Sequence, residues 1–259
     1  MANSEQRLTM SKDLFSRQSD QYALYRPVYP TVLFEYILQY VENRKLAWDC
    51  ATGNGQAAVA LANYIEKIIA TDSSEKQIAN AVLRTNIEYA ICKAEETSFR
   101  DKSFDLVTVA QAYHWLDWNA FANEVKRVAK PGAVIAIWGY NIPLSGYQEL
   151  DDEIRYFYKQ VVCPYWDAER KFVDESYKTV KFDFPELPSR DFSIEVRWNL
   201  DHFIGYLNSW SSVQHYITAN NKNPVSEFFP RLAAQWPGAR EIEFKFPVFL
   251  RIGRVAASY

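Results

Sequence analysis

The chain has 259 residues, of which 48% are hydrophobic and 24% are charged, with 29 Lys and Arg against 32 Asp and Glu. This balance is typical of a folded globular protein and excludes a disordered or collagen-like one, and the length allows one large α/β domain or two small domains. The formal net charge of -3 disfavours a nucleic-acid-binding protein, which usually needs a basic surface.

The cysteines and the N-terminal sequence indicate the cellular compartment. Cys50, Cys92 and Cys163 are unevenly spaced and accompany no C-x-x-C pair, so neither a disulfide framework nor a metal site is predicted. Residues 1–30 contain no apolar segment typical of a signal peptide, and no run of about 18 apolar residues occurs anywhere. We therefore predict a cytoplasmic protein that does not associate with a membrane.

Residues 30–143 alternate between short apolar runs and longer helical patterns. This alternation is typical of βα units arranged around a parallel sheet. A helix is predicted after Pro30, and strands follow it along the chain. The predicted strands of this half are 46–49, 67–71, 87–91, 104–110 and 133–138.

Two helix starts carry capping signals. Ser74 with Gln77 three residues later predicts a capping box, opening a helix that continues to Val82. Asp117 is a predicted N-cap for the helix before the fifth strand, and the Lys-Pro-Gly sequence at 130–132 is predicted to end that helix.

The second half of the chain has a different pattern. Residues 144–189 and 200–238 carry aromatic side chains at helical spacing. Residues 190–199 and 241–252 alternate between apolar and polar with period two, which is typical of antiparallel strands with one exposed face. We predict a single α/β domain over 1–259, with a Rossmann-like, seven-stranded, mostly parallel sheet, an antiparallel C-terminal edge strand and a helical aromatic-rich insertion.

The sharpest local signal is the loop at 49–56, Asp-Cys-Ala-Thr-Gly-Asn-Gly-Gln, between the first strand and the crossover helix. Its glycines permit a tight turn and close approach of the backbone to a ligand, in front of a helix N-terminus. Residues 53–58 also satisfy the dinucleotide pattern G-x-G-x-x-A, and Asp72 stands where a ribose-binding acid is expected. The loop therefore predicts an adenosine ligand without separating a nicotinamide-dependent oxidoreductase from another adenosine-binding protein.

The loop resembles motif I of the class I S-adenosylmethionine-dependent methyltransferases, D/E-x-G-x-G-x-G. Asp49 is the acid that precedes the glycines, although Ala51 stands in place of the first glycine. The acid at Asp72, the Ala94-Glu95 pair after the third strand and the Lys-Pro-Gly sequence before the fifth strand are also similar to that family. The resemblance covers nearly the whole chain.

A narrower resemblance is to small-molecule methyltransferases related to trans-aconitate methyltransferase. It rests on the segments 15–30 and 206–216 and on the pair His114-Trp115 after the fourth strand. It implies S-adenosylmethionine as the methyl donor, S-adenosylhomocysteine as the product and a small-molecule acceptor. The acidic net charge predicts no nucleic acid partner, and methyl transfer by in-line displacement requires no metal. The narrower resemblance also implies a division of the chain into an N-terminal lid, 1–30, a donor-binding core, 30–143, and two substrate-cap insertions, 144–189 and 200–238.

The resemblance implies a donor site at the carboxyl ends of the strands. Asp72 would accept hydrogen bonds from both ribose hydroxyls, because a carboxylate presents two acceptors to a vicinal diol. From the lid, Tyr22 would face the sulfonium and Arg26 would pair with the carboxylate of the donor. The other predicted donor-binding residues are Asp49, Ala51, Gly53, Gly55, Ser73, Ala94, Glu95, Ala110 and Gln111.

On the acceptor side, His114 is the candidate catalytic residue, because it could remove a proton from an acceptor hydroxyl. A carboxylic acid would arrive ionised and need no base, and His114 would then orient the loop or the donor. The predicted substrate-lining residues are Trp115, Tyr147, Trp166 and Trp210. The candidates to hold an acidic acceptor are Arg155, Arg170 and Arg197.

Three functions follow in order of preference. The first is a small-molecule methyltransferase, with a carboxylic acid as the leading acceptor and a hydroxyl or carbon centre as the alternative. The second is an NAD(P)-dependent oxidoreductase, from the dinucleotide pattern. The third is a non-catalytic protein that binds an adenosine ligand, because Ala51 replaces a motif glycine and the sequence establishes no base.

Overall fold

The computed structural model describes residues 25–256, so the predicted Tyr22 and most of the N-terminal lid lie outside the described residues. Short helices connect the first strands, and further helices lie between β5 and β7. The strands are β1 (Leu46–Cys50), β2 (Lys67–Asp72), β3 (Ile87–Ile91), β4 (Phe104–Ala110), β5 (Ala129–Tyr140), β6 (Phe192–Trp198) and β7 (Ile242–Arg254). The helices are α1 (Thr31–Leu38), α2 (Gln56–Leu61), α3 (Glu75–Ala79), α4 (Trp118–Val128), α5 (Gln148–Tyr156), α6 (Arg170–Asp174), α7 (Leu200–Asn208), α8 (Ser211–Asn220) and α9 (Pro224–Gln235).

The seven strands form one sheet in the order β3-β2-β1-β4-β5-β7-β6. The first five strands pair in parallel, and β7 runs antiparallel to β5. This confirms the predicted Rossmann-like sheet with antiparallel strands at its C-terminal side. β6 takes the outermost position and β7 lies between β5 and β6. The shorter β6 suits an edge because it exposes Glu195 and Arg197, and exposed charges discourage pairing with another chain.

The residues cluster into two compact units, each with its own buried aromatic residues. In the unit called here the core unit, Trp48 of β1 is fully buried against Phe104 and Phe121, and its indole N–H donates to Thr71 Oγ1 at 2.8 Å. The described residues of the core unit are 28–141, 171–193 and 247–256. Those of the other, called here the cap unit, are 25–27, 142–170 and 194–246.

The first predicted cap segment, 144–189, divides between the two units. Its part from 171 onward belongs to the core unit, because Val173, Tyr177 and Val180 are buried in the same hydrophobic cluster as the residues of β4 and β5. The helical pattern of that segment did not predict this division, since it is compatible with packing on either unit.

One predicted helix end and one predicted strand start differ from the structure, whereas α4 ends at Val128, just before the Lys-Pro-Gly sequence, as predicted. The helix after Ser74 ends at Ala79, because the N–H of Val82 donates to the carbonyl of Asn54 in the glycine loop at 3.3 Å. The Lys-Pro-Gly sequence at 130–132 lies inside β5, where the N–H of Gly132 donates to the carbonyl of Val255 at 2.9 Å. Among residues 25–256, no helix has both the length and the apolar character needed to cross a bilayer.

Candidate functional site

The loop between β1 and α2 turns sharply through three left-handed residues. Ala51, Gly53 and Gly55 have φ values of 51°, 59° and 89°. A Cβ on Gly55 would also collide with the hydroxyl of Tyr89, so glycine is required there both by conformation and by space. The N–H of Thr52 donates to the carbonyl of Thr71 at 2.9 Å, which ties the loop to the end of β2.

Asp49 supports this loop from inside the core unit. Its carboxylate is fully buried and accepts hydrogen bonds from the hydroxyls of Thr52 and of Thr108, the latter at 2.7 Å. Burial raises the pKa of Asp49 to about 6, although both threonine bonds oppose the shift. The side chain of Asp49 thus holds the loop in shape, and its predicted place beside the donor stays a prediction.

Asp72 lies at the end of β2 and faces the same loop. Its Oδ2 accepts from the N–H of Gly53 at 2.9 Å, and its Oδ1 accepts from the N–H of Ser74 at 2.8 Å. A carboxylate can accept about four hydrogen bonds, so these two bonds orient Asp72 and are compatible with a bound diol. The structure thus brings together Gly53 and Asp72, as predicted, while the neighbouring Ser73 is exposed.

Gln77 on α3 is a candidate site residue that the sequence did not indicate. The capping box is formed in part, since Ser74 Oγ accepts from the N–H of Gln77 at 3.4 Å. The side chain of Gln77 is only 7% exposed, and its Oε1 has no hydrogen-bond partner among the described residues. This oxygen is the nearest atom to where a Cβ on Gly53 would stand, at 3.9 Å.

An unpaired buried carbonyl beside an open glycine is the arrangement expected where a ligand supplies the missing donor. The loop therefore fits an adenosine-containing ligand by the carboxylate of Asp72 and by the unpaired amide oxygen of Gln77 beside Gly53. Among the described residues, no cluster of three or more side chains could hold a metal ion.

The remaining predicted donor-site residues lie after β3 and β4. Ala94 is buried, and Glu95 Oε1 accepts from the N–H of Asp117 at 3.1 Å, which stabilises the start of α4. Ala110 is half-buried at the end of β4. Gln111 has a left-handed φ of 55°, and its side-chain amide pairs with both backbone groups of Tyr140, at 2.7 and 3.3 Å.

His114 and Trp115 follow in a short 3₁₀ turn, Tyr113–Trp115. His114 is 8% exposed, its ring lies 4.8 Å from that of Trp115, and its Nδ1 is 2.8 Å from the hydroxyl of Tyr177. The contact with Tyr177 joins residues 63 positions apart, so no local pattern in the sequence indicates it.

The other predicted residues belong to the cap unit. Arg26 donates to the carbonyl of Ser209 at 2.9 Å, and its guanidinium lies 5.5 Å from the ring of Tyr206. Tyr147, which precedes α5, is 45% exposed.

Two predicted substrate-lining tryptophans of the cap unit lie in contact, with ring centroids 5.6 Å apart. Trp210 is 2% exposed and packs inside the unit. Trp166 is half-buried, its indole N–H has no hydrogen-bond partner among residues 25–256, and Arg170 lies 4.8 Å over its ring. Of the two, Trp166 is the better placed to meet a ligand.

Comparison with known proteins decides the family. A model of the methyltransferase domain matches residues 48–137, which contain the glycine loop, Asp72 and His114. A protein of Dictyostelium discoideum named as a methyltransferase is 32% identical over 254 residues, 95% of this chain and 96% of its own length. The chain belongs to the class I S-adenosylmethionine-dependent methyltransferases.

Two further proteins agree with this assignment. A solved structure from Anaeromyxobacter dehalogenans, described as a type II methyltransferase, is 36% identical with a TM-score of 0.83, over 90% of this chain and 100% of that one. A Saccharomyces cerevisiae protein named as an S-adenosylmethionine-dependent methyltransferase is 26% identical over 151 residues, 55% of this chain and 51% of its own length. Because the chain belongs to this methyltransferase family, we no longer interpret the loop as the dinucleotide-binding loop of an NAD(P)-dependent oxidoreductase. The narrower trans-aconitate resemblance stays a prediction.

Proposed function

We propose that this methyltransferase binds S-adenosylmethionine at the glycine loop and transfers its methyl group to the carboxylate of a small organic acid. The observation that carries the donor site is the position of Asp72, whose carboxylate is held by the N–H groups of Gly53 and Ser74. The unpaired Oε1 of Gln77 beside Gly53 supports the same location.

The bound donor supplies a methyl group on a positively charged sulfur. The carbon–sulfur bond breaks while a carbon–oxygen bond forms to the acceptor, leaving S-adenosylhomocysteine and a methyl ester. Because an ionised carboxylate has no proton to lose, the chain needs only to bind and align the two reactants. Asp72 would hold the ribose, and the turn at Gly53 and Gly55 would let the backbone approach the donor closely.

A cavity in the core unit supports a small acceptor. Its volume is about 500 Å³, within the range of small-molecule sites, and it opens where Asn141 follows the carboxyl end of β5. The lining includes the exposed cation of Lys178 and the carboxylates of Glu186 and Asp191. Lys178 is the candidate in this cavity to meet an acidic acceptor.

A hydroxyl or carbon acceptor remains the alternative for the same enzyme. Such an acceptor would have to lose a proton, and His114 is the candidate to take it. Its place in the 3₁₀ turn that follows β4 favours this alternative, because the carboxyl ends of the parallel strands form the ligand-binding edge.

Replacing Asp72 tests the donor site. Asp72→Asn keeps the size of the side chain but removes its charge and one acceptor, so we expect S-adenosylmethionine to bind at least about tenfold more weakly. Calorimetry with S-adenosylmethionine and S-adenosylhomocysteine measures this, with NADH as a ligand that should not bind. Asp183→Asn is the matched control, because Asp183 is an exposed carboxylate paired with Lys126. Equal affinity of wild type and Asp72→Asn would remove the proposed site.

The acceptor class is tested by following S-adenosylhomocysteine formation with a panel of small carboxylic acids. We expect a product that alkali hydrolyses back to the acid, as a methyl ester does. An alkali-stable product would instead show methylation of a hydroxyl or a carbon. Donor binding without turnover on any acceptor would favour the non-catalytic alternative.

A further inference from the structure

The cavity of the core unit has a wall made of unusual backbone. Ser176, which lines the cavity, and Tyr177 are consecutive non-glycine residues with left-handed φ values of 54° and 55°. Such backbone is disfavoured for residues with a Cβ and persists only where its surroundings enforce it. Here Arg251 of β7 donates to the carbonyls of Tyr177 and Val180, both at 2.9 Å. Arg251 thus holds this wall of the cavity in a fixed shape.

Four charged side chains line the cavity, and two of them neutralise each other. Arg251 donates through Nε and Nη2 to the two carboxylate oxygens of Glu186, at 3.3 and 2.6 Å. Lys178 and Asp191 are exposed, and neither side chain forms an ion pair or a hydrogen bond with a described residue. The lining therefore has no net charge, but it presents one unpaired cation and one unpaired carboxylate.

Asn141 adds an unpaired hydrogen-bond acceptor to the same lining. Its Nδ2 donates to Ser176 Oγ at 3.3 Å, whereas its Oδ1 is buried and has no hydrogen-bond partner among residues 25–256. A buried carbonyl oxygen without a donor is costly, so a donor on a ligand would stabilise this arrangement.

A simple carboxylic acid satisfies only part of this lining. Its carboxylate would pair with Lys178, but Asp191 and Oδ1 of Asn141 would still lack a donor. An ammonium group carries a positive charge and three N–H donors, so it suits both of these acceptors. The cavity also has an apolar wall, formed by the buried β7 residues Val248, Phe249 and Leu250.

We propose that the methyl acceptor is a zwitterion, a free amino acid with an apolar side chain, whose carboxylate meets Lys178 and whose ammonium meets Asp191 and Asn141. The proposal rests on the proposed function, because it assigns the acceptor of the same methyl transfer. A carboxylate oxygen takes the methyl group as the carbon–sulfur bond breaks, which gives S-adenosylhomocysteine and the methyl ester of the amino acid. The ammonium keeps its protons and has no lone pair, so it is not methylated.

The test compares probes that differ by one charged group. Phenylalanine is compared with 3-phenylpropionate, which lacks the ammonium, and with 2-phenylethylamine, which lacks the carboxylate. Calorimetry on the full-length protein, with and without S-adenosylhomocysteine, measures their binding. We expect phenylalanine to bind about fivefold more tightly than either of the other two. Leucine, 4-methylpentanoate and 3-methylbutylamine repeat the comparison with a smaller apolar body.

Variants of Asp191 place the ammonium in the cavity. Asp191→Asn should weaken the binding of phenylalanine about fivefold and leave that of 3-phenylpropionate unchanged. Asp191→Lys should reverse the preference, so that 3-phenylpropionate binds more tightly than phenylalanine. Glu35→Gln is the matched control, because Glu35 is an exposed carboxylate of α1 that has no partner among the described residues and does not line this cavity. It should change neither affinity.

Several outcomes would overturn the proposal. These are equal binding of the amino acids and of the acids without an ammonium, no binding of either amino acid, and an equal effect of Asp191→Asn on phenylalanine and 3-phenylpropionate. With S-adenosylmethionine, an alkali-stable N-methylated product would also contradict it. The affinity for S-adenosylhomocysteine in the same titrations judges the donor site separately, since the amino acids are also titrated without it.

Discussion

At the scale of single residues, replacing Gln77 should raise the stability of the protein and weaken its binding of the donor. Gln77→Met replaces the buried amide by an apolar side chain of similar length. Because Oε1 of Gln77 has no partner among the described residues, the variant without ligand should be more stable by about 1 kcal/mol. The same change removes an acceptor for the donor, so S-adenosylmethionine should bind about fivefold more weakly.

Urea unfolding and calorimetry measure the two effects of Gln77→Met. Gln235→Met is the control, since Gln235 is exposed at the end of α9 and should change neither quantity. If Gln77→Met lost stability and kept its affinity, the amide would be part of the packing and would have no role in binding.

The site residues that the sequence predicted are those fixed by short-range geometry. Gly53 and Gly55 could be predicted because a tight turn between a strand and a helix requires them, and Asp72 because it ends the next strand. The burial of Gln77 and the contact of Tyr177 with His114 could not be predicted. Their contacts depend on how α3 and the segment after α6 pack, and spacing along the chain carries no information on this.

At the scale of elements, the lack of a side chain at Gly139 lets β5 pack closely against Phe249 of β7 and against Gln111, the residue after β4. A Cβ at Gly139 would come within 2.6 Å of Gln111 Oε1 and within 2.6 Å of Phe249 Cζ. Gly139→Ala should therefore displace one of these side chains and destabilise the fold by about 1–3 kcal/mol. Thermal or urea unfolding measures the loss.

Two further variants make the Gly139 prediction specific. Gly238→Ala should have little effect, because Gly238 is exposed, has nothing within 4 Å of a Cβ and has no positive φ. Adding Phe249→Leu to Gly139→Ala should recover part of the loss, since it shortens one of the two side chains. Additive effects of the two changes would show that Phe249 is not the obstacle.

The elements themselves were largely predictable, because apolar runs and alternation with period two report which faces are buried. Asp117 was a correct N-cap, since its Oδ1 accepts from the N–H groups of Asn119 and Ala120 at 3.0 Å. The exceptions are ends fixed by other parts of the chain. The helix after Ser74 stops early because Val82 bonds to the glycine loop, and the residues at 130–132 join β5 because Gly132 bonds to Val255 of the C-terminal segment.

At the scale of the whole molecule, the high aromatic content serves packing more than the acceptor. In the cap unit, Phe203 stacks on Phe244 at 4.7 Å, and Trp198 lies 5.4 Å from Phe246. Helical spacing could not separate such residues from those facing a ligand, since both kinds lie on apolar faces. Burial separates them, and it leaves Trp166 as the stronger candidate beside the buried Trp210.

The free energy of unfolding of the whole molecule should depend on pH through the ionisation of Asp49. Burial raises the pKa of Asp49 to about 6, so between about pH 4 and pH 6 the folded protein holds a proton that the unfolded chain has lost. Stability therefore falls as pH rises through this window, and the full cost of about 3 kcal/mol applies above it. Asp49→Asn carries no such charge, so its stability relative to wild type should rise by about that amount between pH 4 and pH 7.

Urea unfolding followed by tryptophan fluorescence at several pH values measures this difference for Asp49→Asn. The other carboxylates titrate in both proteins and cancel when the two curves are subtracted. An amide also changes the hydrogen bonds with Thr52 and Thr108, but that change is an offset independent of pH, because neither an amide nor a threonine hydroxyl ionises between pH 4 and pH 7. A difference that stays constant with pH would contradict the raised pKa. If the stability of Asp49→Asn relative to wild type rises between pH 4 and pH 6, the buried charge of Asp49, which holds the glycine loop, lowers the free energy of unfolding of the whole protein.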